Sequence, residues 1–276
     1  PCAISNPTWE NHRGIFESAG FDVVEYTYFD GKTRGVDFAG MVKSLESFPK
    51  NTTVLLHACC HNPTGADITE DQWRQVIDIC KNKGLIPFLD VAYQGFAAGI
   101  EQDGIAVRLF AQSGMSFFIS SSFSKSFSLY GERVGALSIV TQSKDESTRV
   151  LSQLKRVIRT NYSNPPTHGA AIAAAVLNSP ELRTLWEDEL AEMRDRIKAM
   201  RHGLVEKLAA AGVKQDFAFI EQQRGMFSYS GLTAEQVDRL QKEDGIYALS
   251  TGRICVAALN TKNIDKVAKA IARVLG

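Results

Sequence analysis

Apolar and polar positions switch between two periods along the first half of this chain. Helical spacing from Trp9 to Ala19 stops at Gly20, and Phe21-Asp22-Val23-Val24-Glu25-Tyr26 then gathers strand formers. Turn residues Asp30-Gly31-Lys32 follow. Asp37 is placed to cap a helix running to Phe48, Thr53 to Ala58 reads as a buried strand, and Asn62-Pro63-Thr64-Gly65 as a loop. Thr69-x-x-Gln72 is a capping box. Behind it Trp73, Val76, Ile77 and Cys80 share one helical face, and Gly84 stands where a helix-ending glycine is expected. Leu85 to Asp90, Met115 to Ile119 and Gly135 to Val140 resume strand character, with helical patterns between several of them. This alternation predicts an α/β domain built on a largely parallel sheet, with ligands at the carboxyl ends of its strands.

Beyond Ser179 the pattern changes. Leu182, Leu185, Trp186, Leu190, Met193, Ile197 and Met200 keep a helical period along one long charged helix that reaches the neighbourhood of Ala211. Short strands (Gly225 to Tyr229, Gly245 to Leu249, Ile254 to Ala257) then mix with helices at Ala234 to Glu243 and Asn263 to Leu275. The expected division is a large domain over residues 1–190 and a smaller α+β domain over 191–276. Neither a repeat nor a flexible linker interrupts it.

A chain of 276 residues buries a real core. Its 31 Lys+Arg balance 31 Asp+Glu, so no global field draws it onto nucleic acid or an anionic membrane, although a local cationic pocket for a small anion stays open. Five cysteines (Cys2, Cys59, Cys60, Cys80, Cys255) form an odd set without CxxC spacing, which points to a reducing compartment and hence the cytoplasm. The most apolar stretch, Leu85 to Ile100, is broken by Asp90 and Gln94 and is too short to span a bilayer. The sequence opens at Pro1 without a Met and runs directly into strand-like Cys2-Ala3-Ile4-Ser5, from which a further upstream portion is expected.

Candidate chemistry gathers at the predicted strand ends. Phe117-Phe118-Ile119 runs into Ser120-Ser121-Ser122-Phe123-Ser124-Lys125-Ser126, a hydrophobic strand ending in hydroxyls and one lysine. Alone, Lys125 reads as a solvated loop lysine. With Ser122, Ser124 and the downstream Arg133 it offers a Schiff-base amine beside an anchor for a phosphate dianion. Asp90 closes an otherwise apolar strand, either as a plain polar terminus or as the carboxylate that keeps a pyridine nitrogen protonated. Tyr93 has the reach to hydrogen-bond a ring hydroxyl, and otherwise packs with a wet tip. Trp9 and His12, one helical turn apart, share a face on which an indole stacks against a flat group or simply joins the core. Arg253 and Arg159 read as solvated cations, or as two guanidinium forks for a dicarboxylate.

Other motifs compete. Ser122-Phe123-Ser124-Lys125 matches the S-x-x-K of acyl-serine enzymes, but no S-D-N or K-T-G follows it. P-loop, dinucleotide and nucleophile-elbow patterns do not occur. His57, Cys59, Cys60 and His61 crowd one segment, but successive strand side chains point to opposite faces, which disfavours a zinc site.

Taken together, Asn6-Pro7-Thr8-Trp9-Glu10-Asn11-His12, His57-Ala58-Cys59-Cys60-His61-Asn62-Pro63-Thr64-Gly65, Asp90-Val91-Ala92-Tyr93-Gln94-Gly95-Phe96 and Ser122-Phe123-Ser124-Lys125 resemble the class I aminotransferases of the aspartate/aromatic type. Leu129-Tyr130-Gly131-Glu132-Arg133, Tyr162-Ser163-Asn164-Pro165-Pro166, Gly225-Met226-Phe227-Ser228-Tyr229 and Thr251-Gly252-Arg253 extend the likeness collinearly over essentially the whole chain. The nearest likeness is to bacterial tyrosine, or aromatic amino acid, aminotransferases.

The resemblance implies the fold-type I architecture of pyridoxal-phosphate enzymes and transfer of an amino group between an aromatic or acidic amino acid and 2-oxoglutarate. By the same likeness Lys125 is the Schiff-base lysine and the acid/base, and Asp90 pairs with the pyridine nitrogen, with His12 behind it and His57 nearby. Asn62 and Tyr93 meet the phenolic oxygen, Trp9 stacks on the ring, and Ser122, Ser124 and Arg133 hold the phosphate. Arg253 takes the α-carboxylate, Phe227 walls the pocket, and Arg159 reaches the neighbouring site of a homodimer to grip a side-chain carboxylate. Family members carry, ahead of the part matched by Pro1, an arm, a tyrosine and a Ser-Gly-Thr phosphate loop. The rival expectations are an aspartate aminotransferase, a cofactor-binding chain without turnover, and, more distantly, an acyl-serine enzyme.

Overall fold

The computed structural model describes residues 1–276. Six strands form the central sheet: β1 (Cys2–Asn6), β2 (Val23–Thr27), β3 (Thr53–His57), β4 (Ile86–Val91), β5 (Phe117–Ser122) and β6 (Gly135–Val140). Their order is β2-β1-β3-β4-β5-β6, and only β6 runs antiparallel to its neighbour. Helices α1 (Asn11–Ser18), α2 (Phe38–Ser47), α3 (Glu70–Lys83) and α4 (Ile105–Gln112) lie on the crossovers between the parallel strands. The expected caps are present. Asp37 accepts from the Gly40 N–H, Thr69 and Gln72 close a reciprocal capping box, and Gly84 ends α3 at φ 65°.

Strand periodicity explains how the sheet is covered. Val54 and Leu56 of β3, Leu89 and Val91 of β4, and Phe117 and Ile119 of β5 enter one core. There they meet Met41 and Leu45 of α2, Trp73, Val76 and Cys80 of α3, and Phe110 of α4. Leu55 faces the other way and joins Cys2, Ile4 and Phe16. Because β3 is buried on both faces, its sequence runs Thr-Val-Leu-Leu-His without alternation. Polar residues gather at the carboxyl ends of β3, β4 and β5, where register sets His57 beside Asp90 and Asp90 beside Ser120.

After β6 the chain is helical: α5 (Lys144–Asn161), α6 (His168–Asn178) and α7 (Pro180–Ala210). Ser179 caps α7 by accepting from the Leu182 N–H, and Pro180 occupies the first turn, where a missing N–H costs nothing. Leu190, Ile197, Leu204 and Leu208 of α7 form a second core with α8 (Ala234–Asp244) and α9 (Ile264–Leu275), and Tyr93, Phe96 and Ala97 from the loop after β4 belong to it as well. The helix runs unbroken through residue 190. A ribbon of β7 (Phe227–Tyr229) and antiparallel β8 (Arg253–Cys255) completes this half, with Arg253 opposite Tyr229.

Gly245 to Leu249, expected as a strand, is irregular. Gly245 is the left-handed residue ending α8, and the Ile246 N–H donates to Leu240 O, so the segment's first residues are used in closing the helix. Tyr247 is left 78% exposed. The strand expected at Ile254 to Ala257 is Arg253–Cys255, followed by a tight turn at Val256–Ala258. No helix is long and apolar enough to cross a membrane.

Candidate active site

At the carboxyl ends of β3, β4 and β5 a cavity of about 320 Å³ brings together Trp9, His57, Asn62, Asp90, Tyr93, Ser122, Ser124, Lys125, Tyr130 and Arg133. Its floor is a carboxylate. Asp90 Oδ2 accepts from His12 Nε2 at 3.0 Å, and His12 Nδ1 is hydrogen-bonded to Thr8 Oγ1 at 2.8 Å. An ionised carboxylate only accepts, which puts the proton of the first bond on Nε2. Burial acts to raise the Asp90 carboxyl, but the His12 hydrogen bond, together with the neighbouring histidines and Lys125, outweighs it and holds the group below its ordinary 3.8. Asp90 is thus a half-buried anion over most of the pH range.

His57 lies with its ring centroid 5.0 Å from His12 and 4.3 Å from His61. Burial, reinforced by His61, pushes it well below the usual imidazole range, and neither ring nitrogen has a hydrogen-bond partner. His61 is held on both nitrogens, by Ser5 Oγ at 2.9 Å and Thr64 Oγ1 at 2.8 Å, and stacks on Tyr28. Burial lowers it to about 3.

Lys125 Nζ sits 4.6 Å from the centroid of the Tyr93 ring. Desolvation, aided by Arg133 and opposed by Asp90, brings its amine below the ordinary 10.5. Such an amine is more readily neutral, as a base must be. From Tyr93 a chain of contacts leads out of the sheet. Asn62 Nδ2 donates to the Tyr93 hydroxyl at 3.4 Å, Arg253 Nη1 donates to Asn62 Oδ1 at 3.0 Å, and the Arg253 guanidinium lies 4.5 Å over the Phe227 ring. Gly65 makes this junction close: at φ 70° it is left-handed, and a Cβ there would lie 2.9 Å from Phe227 O.

Hydroxyls and a guanidinium mark the other end. Ser122 Oγ accepts from the Ser124 N–H at 3.2 Å, and Arg133, left-handed at φ 53°, donates to Tyr130 O at 2.9 Å. Trp9 walls the cavity, 39% exposed and edge-on to His12. Arg159 lies elsewhere, in the exposed last turn of α5, where Nη1 donates to Ser163 Oγ at 2.6 Å. The crowded His/Cys segment splits in two. His57 and His61 come together, whereas Cys59 and Cys60 face the Asp103 carboxylate on another side.

Several residues that hold this site escaped the sequence reading. Thr8, His61 and Tyr130 lie inside motifs already quoted, and only the fold shows which atoms they meet. Asp67 accepts from the Cys60 and His61 N–H groups and so pins the loop of Asn62. Asp103 accepts from the Gly95, Ala97 and Ala98 N–H groups behind Tyr93. Spacing gives no sign of either.

Residues 1–271 match the family model described as aminotransferase class I and II. The chain belongs to this aminotransferase family. An aspartate aminotransferase of Pseudomonas aeruginosa is 68% identical over 273 residues, covering 99% of this chain and 69% of that protein. An aromatic-amino-acid aminotransferase of Escherichia coli is 53% identical over 99% of this chain and 68% of its own length. Among solved structures, an aromatic-amino-acid aminotransferase of Burkholderia pseudomallei covalently bound to pyridoxal phosphate superposes with TM-score 0.99 at 68% identity, covering 100% of this chain and 69% of that one. The aminotransferase fold, its largely parallel sheet and the collinear motifs therefore agree, and the acyl-serine reading of Ser122 is set aside.

Proposed function

We propose that the cavity lined by Asp90 and Lys125, whose Asn62 wall is hydrogen-bonded to Arg253, is where this aminotransferase moves the amino group, with Lys125 as the residue that moves the proton. The chain is a pyridoxal-phosphate-dependent enzyme that acts on aromatic or acidic amino acids and on 2-oxo acids. The observation that carries the site assignment is one cavity holding a lysine amine of lowered pKa, a half-buried anionic carboxylate and a hydroxyl-guanidinium set.

The residues fit the cofactor. His57 lines the cavity with two orphaned buried nitrogens, and Asp90 is an anion whose only ring partner is His12, on its far side. In this reading Asp90 meets the pyridine nitrogen with His12 behind it and His57 nearby, Trp9 covers the ring face, and Asn62 and Tyr93 meet the phenolic oxygen. Ser122, Ser124 and Arg133 take the phosphate. When bound, pyridoxal phosphate supplies a protonated conjugated ring over which charge released at the substrate Cα is spread.

The chain's own groups do the rest. Arg253 grips the α-carboxylate as a fork, with Phe227 beneath its plane and Asn62 fixing one edge. Lys125 Nζ, its basicity lowered by desolvation, takes the Cα proton once neutral and returns it elsewhere on the same face. Arg159, exposed and away from its own chain's cavity, is read as serving a neighbouring subunit's site for acidic side chains, which makes the working form a homodimer. The proposed acceptor is 2-oxoglutarate, the kinetics ping-pong, the compartment the cytoplasm, and the working division 1–190 and 191–276. Relatives of equal identity are named for aspartate and for aromatic amino acids, which supports both donor classes.

Visible absorbance of the cofactor-loaded protein, followed before and after addition of tyrosine or aspartate, tests the reading. Borohydride reduction and peptide mapping are expected to place the label on Lys125. A label on any other lysine overturns the assignment, and a bound chromophore that no amino acid changes favours a chain that binds without turnover.

A further inference from the structure

Helix α7 touches both ends of the site through side-chain donors that the chemistry above does not use. Trp186 Nε1 donates to the Ser126 carbonyl at 2.6 Å, and its indole stacks on the Phe127 ring with centroids 4.4 Å apart and planes 19° from parallel. Ser126 and Phe127 directly follow Lys125 in the chain. Roughly four turns further along α7, Arg201 donates from Nη1 to Ile220 O at 3.0 Å and from Nη2 to Gly225 O at 2.7 Å and Phe227 O at 2.6 Å. Phe227 is the ring on which Arg253 lies.

Both donors sit on the helix's buried stripe. Trp186, Leu190, Met193, Ile197, Arg201, Leu204 and Leu208 recur at three- and four-residue steps, so Arg201 stands where packing alone calls for an aliphatic side chain. It is only 3% exposed, and its hydrogen-bond partners are three carbonyls. Burying a guanidinium in an apolar stripe is costly, and a well-packed hydrophobe there is commonly no less stable. What the arginine adds is a fixed position for the Ile220–Phe227 segment. Trp186 does the same for the Lys125 turn, through one N–H and one stacked ring. A continuous helix between them holds the two grips at a set separation of roughly 22 Å along its axis.

We propose that α7 is the spacer that fixes the Lys125 amine relative to the Arg253 guanidinium, with Trp186 and Arg201 as positioning residues for the two ends. A substrate held by its carboxylate presents its Cα proton to an amine that must lie within about an ångström of the productive place, so the spacing bears on rate. The inference rests on the roles given to Lys125 and Arg253 above.

The test uses the cofactor-loaded enzyme and two readouts besides turnover. One is the pH midpoint of its visible band, which reports the Lys125 end. The other is the equilibrium dissociation constant of succinate, a dicarboxylate without an amino group, which reports the Arg253 end. Trp186→Phe keeps a stacked ring but loses the N–H, and is expected to move the midpoint by roughly half a unit while succinate affinity stays within about twofold. Arg201→Met is expected to weaken succinate about tenfold with an unmoved midpoint. Arg201→Lys, which keeps the charge but lacks the fork, serves if the methionine variant does not fold, and is expected to fall between it and the wild type. The spacer is overturned if both readouts move together in each variant, or if neither moves. A wild-type protein with no visible band, or one labelled away from Lys125, overturns the underlying assignment instead.

Discussion

The two ends of the site are made differently. At the amine end, His57 and Asp90 are neighbours across parallel strands, and His12 bonds Asp90 from a helix packed on the same sheet. His12 is 3% exposed and His57 8%. At the carboxylate end, Arg253 and Phe227 stand on a ribbon of two three-residue strands, which meets the loops after β3 and β4 through the Asn62 amide and the Tyr93 ring and is braced by Arg201. One end is positioned by strand register, the other by loops and by side chains that cross from one core to the other. On the proposed roles, proton chemistry falls at the end positioned by strand register, and substrate recognition where the supporting pieces are separate. Changes at the amine end should therefore lower kcat, and changes at the carboxylate end should raise KM.

The sharpest way to break that comparison is to remove the amine. Lys125→Ala is expected to lower kcat/KM by ~10⁵ or more, since no other amine lines the cavity, and stopped-flow absorbance of the first half-reaction is the measurement. Asp90→Asn keeps shape and the His12 contact but removes the anion, with an expected loss of ~10³ in kcat at little change in KM. A KM effect as large as the kcat effect would show that Asp90 acts in substrate binding, and the division between the ends would fail.

The same division explains what sequence reading recovers. Asp90 was legible because an acid closing an apolar strand stands out, and strand register then puts it at the sheet edge with its neighbours. Capping at Thr69 and Asp37 and the end of α3 at Gly84 were legible for a similarly local reason. Roles specific to a cofactor came with the family resemblance, not from periodicity. Arg201 was hidden because an arginine on a charged helix reads as solvated, and only tertiary packing turns that face inward. Gly245 to Leu249 misled because Ile246, Tyr247 and Leu249 are good strand formers, whereas backbone groups committed to ending α8 leave the segment without a ladder.

At the carboxylate end the expected effects are smaller and fall on binding. Arg253→Lys exchanges a fork for a point charge and gives up the plane stacked on Phe227, so KM for every amino acid should rise ~10²-fold with kcat changed far less. Arg159→Ala should raise KM for aspartate by roughly thirtyfold and leave tyrosine within about threefold, because only an acidic side chain needs a second cation. Equal losses for both donors would remove Arg159 from substrate recognition. If mixing that variant with Lys125→Ala restores aspartate turnover, the guanidinium works across subunits.

The smallest effect belongs to stability and probes the rigid end by itself, in the cofactor-free protein. Asp90 has a folded value below its ordinary 3.8, so the native state binds fewer protons there than the unfolded chain in acid. Its stabilising contribution is complete above about pH 4 and is lost as pH falls through the folded value. Asp90→Asn lacks that contribution at every pH. The variant should therefore melt about 2–4 °C below the wild type at pH 7, and the gap should close as the buffer is taken below pH 4. The sign of the gap decides between two opposed forces, since burial alone favours the neutral side chain whereas the His12 hydrogen bond and the nearby Lys125 favour the anion. A variant more stable than the wild type at pH 7 would mean that desolvation wins and that the floor of the cavity is strained until a cationic ring arrives to pair with it.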